Sequence, residues 1–430
     1  MNNIANVATD GLCVGCGTCA GVCPTAAIEM YVSNGLFLPK VDENKCLNCG
    51  LCSRCCPGYG VDFESLNFFI FGKQPEDTCI GNFLGCYFGY SNDMAVRSNS
   101  SSGGVVTQLL SFAFEKGLID GAVVTRMSAN DPLVCESFVA KSAAEVFSAS
   151  KSKYCPTCVN QVLQHVLKEN GKFAVVGLPC QIHGIRKAEM FVKALKEKIV
   201  LHIGLMCSHT VSYDGTLFLL KKLGLNKYKV AKLYYRGEGW PGSMQIQLKD
   251  GRKFSFHFVR NWNAYWNVFA PFFFTPFRCL MCPDHFNELA DLSVGDAWLP
   301  EFSSKNLGVA IVISRTRFAD EILNKMKASS ILSLEPLSIC KVKDSQAFSL
   351  SFKKKEFSKR LSVLKVLGKN VPTFRTNFVH CDFVSFLYAF LAYLSVYVSS
   401  QPRLRSFLVY VPLPLFRVYF GLFKIFFYLT

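Results

Sequence analysis

The sequence predicts two unlike modules and an appendix: a small α+β unit, then an α/β domain on a mixed, partly parallel sheet, then a hydrophobic helical tail. Three observations carry that prediction. A cysteine cadence occurs twice between Cys13 and Pro57, helical and strand patterns alternate from about Arg97, and the chain turns apolar after Pro372.

The cadence reads "CVGCGTCAGVCP" from Cys13 and "CLNCGLCSRCCP" from Cys46. There are 20 cysteines, and the first residues, "MNNIANVATDGL", lack the charged start and apolar stretch of a secretory signal. A disulfide scaffold is therefore not expected, because cytosolic thiols stay reduced, and metal or redox use is. Cys-x2-Cys-x2-Cys-x3-Cys-Pro, met twice, is the two-cluster ferredoxin pattern, in which the fourth cysteine of each run ligates the other cluster. By that rule Cys13, Cys16, Cys19 and Cys56 hold one 4Fe-4S cluster, and Cys46, Cys49, Cys52 and Cys23 hold the second. Cys55 competes with Cys56, but Cys56 has both the spacing and the proline. Zinc or adventitious thiols fit a doubled pattern poorly. Between the runs, "AIEMYVSNGLFLPKV" predicts a hairpin turning at Asn34-Gly35, which completes a ferredoxin-like domain over residues 1–65.

Next comes the alternation. "SSSGGVVTQLLSFAFEKG" predicts a serine-capped helix, "DGAVVTRM" a strand, "CPTCVNQVLQHVLKENG" a helix and "KFAVVG" a strand. "CQIHGIRKAEMFVKALKEK" predicts one further helix and "IVLHIGLMC" a strand, so an α/β domain is expected over residues 85–350. Ser102-Gly103-Gly104 opens a helix whose free N–H groups suit a phosphate, although an ordinary cap looks the same. Lys151 and Lys153 would neutralise such a group or sit in solvent, and no Gly-x-Gly-x-x-Gly fingerprint is present.

Cys180 and Cys207 follow strand ends, where open α/β sheets place ligands. With the Cys279/Cys282 pair they make a third cluster site, against the alternatives of core thiols or a zinc pair. Cys155 and Cys158 at a helix start read as a redox pair or as fortuitous spacing. Cys79, Cys86, Cys135, Cys340 and Cys381 default to structural thiols, and His183 and His209 to structural histidines near a cofactor.

Taken in order, "SSSGGVVTQLL", "SKYCPTC", "VVGLPCQIHGIRK", "LMCSHTVS", "YRGEGWPG" and "RCLMCPDHFNELADLSVGDAW" resemble the coenzyme F420 hydrogenase/dehydrogenase beta-subunit family. That group includes 7-hydroxymethyl chlorophyll a reductase and bacterial members, some of which accompany surface-polysaccharide genes. The resemblance runs from about Gly85 to Ile313. It implies FAD in the α/β domain and a 4Fe-4S cluster near the flavin, with Cys180, Cys207, Cys279 and Cys282 as its ligands. It also implies a flavin pocket that includes Ser102, Gly103, Gly104, Lys153, Tyr154, Arg236, Gly239 and Trp240. Cys155 and the Ser208-His209 pair depart from the family pattern, which bears on the substrate.

The net charge of +16 admits nucleic acid, an anionic membrane or an acidic partner. No nucleic-acid module accompanies it, so nucleic acid is not an expected partner. Much of the excess lies in "KKKEFSKRLSVLKVLGK", expected as a basic linker over residues 351–380. Residues 381–430 follow as a hydrophobic tail. Its uncharged stretch Phe383 to Pro402 has the length of a membrane span, and the segment beyond it, broken by Pro412, Pro414, Arg417 and Lys424, reads as interfacial. A pair of core-capping helices is the competing reading. The expected protein is a cytoplasmic iron–sulfur flavoprotein oxidoreductase, peripheral at or anchored in the cytoplasmic membrane. It would exchange electrons with a redox partner protein or reduced carrier and act on an unidentified small molecule. The alternative is an electron relay or ferredoxin adaptor without a substrate site.

Overall fold

The computed structural model describes residues 3–257, 265–374 and 382–429. Cys381 lies outside them. In the N-terminal module, β1 (Ile28–Ser33) and β2 (Leu36–Val41) pair antiparallel. Asn34 and Gly35 both take positive φ at their turn, as a type I′ hairpin requires. The short helices Thr18–Gly21 and Leu51–Arg54 each start on a left-handed glycine, Gly17 and Gly50, inside the two cysteine runs.

The larger domain holds β3 (Gly85–Ser91), β4 (Gly121–Met127), β5 (Cys135–Ala140), β6 (Phe173–Gly177) and β7 (Ile199–Leu205). It continues with β8 (Val230–Tyr234), β9 (Ser243–Leu248), β10 (Lys253–His257), β11 (Leu292–Asp296), β12 (Ala310–Ser314) and β13 (Leu332–Pro336). Eight of these form one sheet in the order β13-β3-β12-β11-β7-β6-β4-β5. Its centre, β11-β7-β6-β4, is parallel, and both flanks are antiparallel. A separate antiparallel sheet is ordered β10-β9-β8.

Strand residues of the large sheet alternate between two cores, as a sheet covered on both faces demands. Ala122, Val124, Ala174, Ala310 and Val312 meet the helices Val105–Glu115 and Arg317–Ala328 on one face. On the other face Val123, Phe173 and Val175 meet Ile182, Ile185 and Ala188 of the helix Pro179–Glu189, together with Val22, Cys55, Val61 and Leu66 of the N-terminal module. The small module therefore completes a core of the large one. Its seam has no slack. A Cβ on Gly21 would lie 1.9 Å from the Asn160 carbonyl oxygen, and one on Gly184 would lie 2.1 Å from Thr18 Oγ1. Asn160 Nδ2 donates to Thr18 Oγ1 and to the Gln181 carbonyl, both at 2.8 Å, and the Asn160 N–H donates to the Cys16 carbonyl at 2.9 Å.

Two expected helices differ. The segment after Cys155 becomes helical only at Val159, first as a 3-10 turn and then as the helix Leu163–Lys168, because Asn160 is spent on the seam. The segment after Cys180 breaks at Met190 into Pro179–Glu189 and Lys193–Lys198. The first of these is pinned from below: Arg186 pairs with Glu189 at 3.1 Å and Asp291 at 2.9 Å, while His202 bridges the same two carboxylates at 2.7 and 2.9 Å.

The basic run is not simply an exposed linker. Ser351–Lys355 forms a π-turn and Phe357–Val366 a helix, and Lys353 and Arg360 are buried. In the tail, Phe383–Ser400 packs Tyr388, Ala392 and Val396 on Phe352, Leu361, Leu280 and Phe423. It is long and apolar enough to cross a membrane, with 39% of that stretch buried inside the protein. The helices Pro402–Leu408 and Leu413–Leu429 follow.

Gly184→Ala should force the seam apart at Thr18 and cost about 1–3 kcal/mol, the usual penalty of overpacking. Thermal unfolding of the iron-loaded protein checks this: the midpoint should fall, and an unchanged midpoint would mean the modules do not rely on this contact.

Candidate iron–sulfur and ligand sites

Three groups of cysteines emerge. Cys56 lies with Cys13, Cys16 and Cys19, close enough that the charge of each would bear on its neighbours. Cys23, Cys46, Cys49 and Cys52 line a small cavity on the other side of the module, where Cys49 is exposed. Cys55 is instead fully enclosed in the core between the modules. Each fourth cysteine thus sits with the opposite run.

The third group belongs to the larger domain. Cys180 opens the helix after β6, Cys207 follows β7, Cys279 lies within the 3-10 turn Phe277–Met281, and Cys282 caps its end. All four line one cavity, and Cys13 of the N-terminal module lines it too. Burial pushes the Cys207 thiol up to about 12 and raises Cys180 and Cys279 as well, so as bare thiols they are neutral. A bound metal cluster would take them as thiolates, and the site carries buried cations that would balance that charge. Arg278 and Lys353, each less than 5% exposed, line the same cavity. Arg278 donates to the Gly58 and Pro57 carbonyls beyond Cys56 at 3.0 and 3.1 Å, and to the Met281 carbonyl at 2.7 Å. Among the described residues, no three His, Cys, Asp or Glu side chains converge closely enough for a single metal ion. The thiols ring a cavity instead, which disfavours a zinc pair.

His183 is held by Asp284 at 2.8 Å. His209 stacks on Phe269 with ring centroids 4.0 Å apart and bonds its carbonyl at 2.8 Å; burial lowers its pKa to about 3, leaving it neutral. The Cys155/Cys158 pair is split. Cys155 Sγ lies 3.0 Å from Cys135 Sγ, while Cys158 turns toward Gly17 in the seam. Cys158 caps the 3-10 turn that begins at Val159, with Cys155 three residues ahead of it, and burial raises both thiols.

A second site gathers around Asp296, at the carboxyl end of β11. Its carboxylate accepts from Ser102 Oγ at 2.6 Å, from Arg236 at 2.6 and 3.1 Å, and from Trp240 Nε1 at 2.7 Å. Arg236 also donates to the Ser101 carbonyl at 2.9 Å, and the Tyr154 hydroxyl lies 3.5 Å from it. Gly239 takes φ +78 in the same loop, and Trp240 packs on Trp298 with centroids 4.8 Å apart. Gly103 and Gly104 hold left-handed conformations ahead of the helix Val105–Glu115. Lys153 is turned away: its Nζ bonds carbonyls of its own loop at Ala149 and Ser150, and burial lowers it to about 8. Asp296, Arg278 and Lys353 were missed from the sequence. Asp296 ends the strand "LSVGD", which was the available signal, whereas Lys353 was hidden in a run of charge.

Eight paired cysteines beside a four-thiol cavity define an iron–sulfur electron-transfer protein. The chain matches the 4Fe-4S dicluster domain over residues 12–61. It also matches the N-terminal and C-terminal models of the coenzyme F420 hydrogenase/dehydrogenase beta subunit over residues 86–164 and 170–339, and belongs to that family. It is 28% identical over 294 residues to the coenzyme F420 hydrogenase subunit beta of Methanothermobacter thermautotrophicus, spanning 66% of this chain and 95% of that one. It is 29% identical over 302 residues to a component of the F420H2 dehydrogenase of Methanosarcina mazei, spanning 69% and 79%. Against the coenzyme F420-dependent sulfite reductase of Methanocaldococcus jannaschii it is 30% identical over 249 residues, 55% of this chain but 36% of that protein. A chain of the F420-reducing NiFe hydrogenase complex from Methanosarcina barkeri shares the fold, with a TM-score of 0.54 and 20% identity over 69% of this chain and 98% of that one.

Asp296→Ala would leave the Arg236 guanidinium buried without its counter-charge, a loss of about 3–5 kcal/mol. The double variant D296A/R236M should recover part of it. Denaturant unfolding of the two variants against the parent checks both expectations.

Proposed function

We propose that the protein is an iron–sulfur flavoprotein oxidoreductase that passes electrons between a ferredoxin-type chain and a substrate or deazaflavin-type carrier, using FAD. One observation carries the reading: Cys13 of the N-terminal module and all four thiols of the larger domain line a single cavity. In this reading Cys13, Cys16, Cys19 and Cys56 hold the middle cluster, and Cys46, Cys49, Cys52 and Cys23 the outer one. Cys180, Cys207, Cys279 and Cys282 hold a third. The exposed Cys49 marks the end at which a redox partner protein would dock.

The residues around Asp296 suit an aromatic, anionic ligand such as FAD. The Ser102-Gly103-Gly104 turn presents helix N-terminal N–H groups toward a phosphate. Tyr154, Trp240 and Trp298 offer ring faces, and Lys151, half-buried, offers charge. A bound flavin couples two-electron exchange with a substrate to the one-electron traffic of clusters. The chain's own part is to orient it: Asp296 fixes Ser102 on one loop and Arg236 and Trp240 on another, far apart in sequence, in one arrangement.

Iron, acid-labile sulfide and flavin per chain, measured after anaerobic reconstitution, test this directly. Three cubanes require about twelve irons and two about eight. Twelve irons with one FAD is the expected result. Eight irons without flavin would leave an adaptor that only relays electrons.

The tail supports peripheral association with an anionic cytoplasmic leaflet. Phe407, Tyr410, Leu415, Val418 and Ile425 are each more than half exposed, beside Arg403. Amphipathic surfaces of this kind bind lipid through apolar area and basic charge together. The protein should therefore co-sediment with vesicles containing phosphatidylserine, and the double variant F407S/Y410S should stay in the supernatant.

A further inference from the structure

Lys353 is 2% exposed, an unusual fate for a lysine. It stands in the middle of a five-residue π-turn, Ser351–Lys355, a distortion of helical geometry that frequently marks a functional position. Its side chain lines the cavity ringed by Cys180, Cys207, Cys279 and Cys282, near enough that the charge of Cys282, Cys207 and Cys279 would bear on it. Its neighbours in sequence find other partners. Lys354 pairs with Glu288, and Lys359 with Asp382 and Glu356. Lys353 lies beyond residue 339, where the match to the C-terminal family model ends.

A buried ammonium turned toward sulfur is costly unless the sulfur is anionic. A cubane held by four thiolates is anionic and gains a further negative charge on reduction. A fixed cation in a poorly screened interior stabilises the reduced form more than the oxidised one. We propose that Lys353 is the electrostatic partner of the third cluster and raises its reduction potential. The inference rests on the reading of Cys180, Cys207, Cys279 and Cys282 as cluster ligands. Arg278 lines the same cavity, but its donors are engaged by the Pro57, Gly58 and Met281 carbonyls, so changing it would also loosen the seam. Lys353 isolates the charge.

The test is a redox titration of the reconstituted full-length protein followed by electron paramagnetic resonance. It compares the parent with Lys353→Met, which keeps the stem and removes the charge, and Lys353→Arg, which keeps the charge. A Cys282→Ser variant identifies the third cluster's signal. K353M should lower the potential of that cluster alone by at least a tenfold change in its oxidised-to-reduced ratio, about 59 mV for one electron. K353R should hold it near the parental value. If K353M instead loses four irons while K353R retains them, the charge is needed for the cluster to bind at all, which also supports the pairing. The inference is overturned if K353M keeps twelve irons and all three potentials stand still, or if both variants lose iron alike, since the side chain would then only fill space. A parent protein with eight irons would overturn the third-cluster reading itself, a distinct result.

Discussion

The seam between the N-terminal module and the helix Pro179–Glu189 is the contact on which the rest depends. Gly21 and Gly184 let two backbones approach to a distance that no side chain allows, and the Asn160 amide ties the gap shut from the third direction. The same helix begins one residue before Cys180, and the same loop of the small module carries Cys16. Packing and electron path are therefore one problem. A looser interface would lose apolar contact among Val22, Val61, Leu66 and Ile182 and would also separate the cysteines of the two modules. The network of Arg186, Glu189, His202 and Asp291 beneath the helix keeps its far end from tilting.

Charge follows the same logic. Bringing anionic, thiolate-bound clusters into a protein interior calls for nearby cations, and the fold places three beside the cysteines. Lys187 donates to the Cys56 and Gly60 carbonyls at 2.6 and 2.8 Å, Arg278 donates to the carbonyls that follow Cys56, and Lys353 lines the four-cysteine cavity. Each comes from a different part of the chain: a sheet-covering helix, the loop before the Cys279/Cys282 pair, and the C-terminal extension. Part of the large positive excess is thus internal, set among the cysteines rather than on an outer basic surface.

What could be read from the sequence follows from how local each signal is. The ferredoxin cadence is a chelation pattern within a dozen residues, and the Asn34-Gly35 hairpin is a two-residue signal; both were legible. The central strands were legible as well, since β4, β6 and β7 are short apolar runs between turn signals. The tie between Cys180, Cys207 and the Cys279/Cys282 pair rests on topology, which puts β6 and β7 side by side; strand-end positions hinted at it, and the family resemblance strengthened the reading. Cys155 misled because spacing paired it with Cys158, whereas the neighbour of its loop is the start of β5, bearing Cys135. Lys353 was illegible in principle: in a run of three lysines nothing local says which one turns inward.

The two sites are also joined to each other. Gln346 donates to the Asp296 carbonyl at 2.6 Å and bonds His285 Nε2 at 3.1 Å, and the His285 carbonyl accepts from the Cys207 N–H at 3.0 Å. One buried chain of hydrogen bonds therefore runs from the loop that gathers Ser102, Arg236 and Trp240 to a thiol of the four-cysteine cavity. Burial holds the His285 pKa down near 4, so this link stays neutral through the physiological range and adds no charge of its own between the sites. Gln346 and Lys353 lie seven residues apart on the same C-terminal segment. That segment is thus more than a connection to the apolar tail: one end fixes the backbone of the Asp296 site and the other faces the sulfurs. A displacement of the tail helices would therefore reach both the Asp296 loop and the four-cysteine cavity.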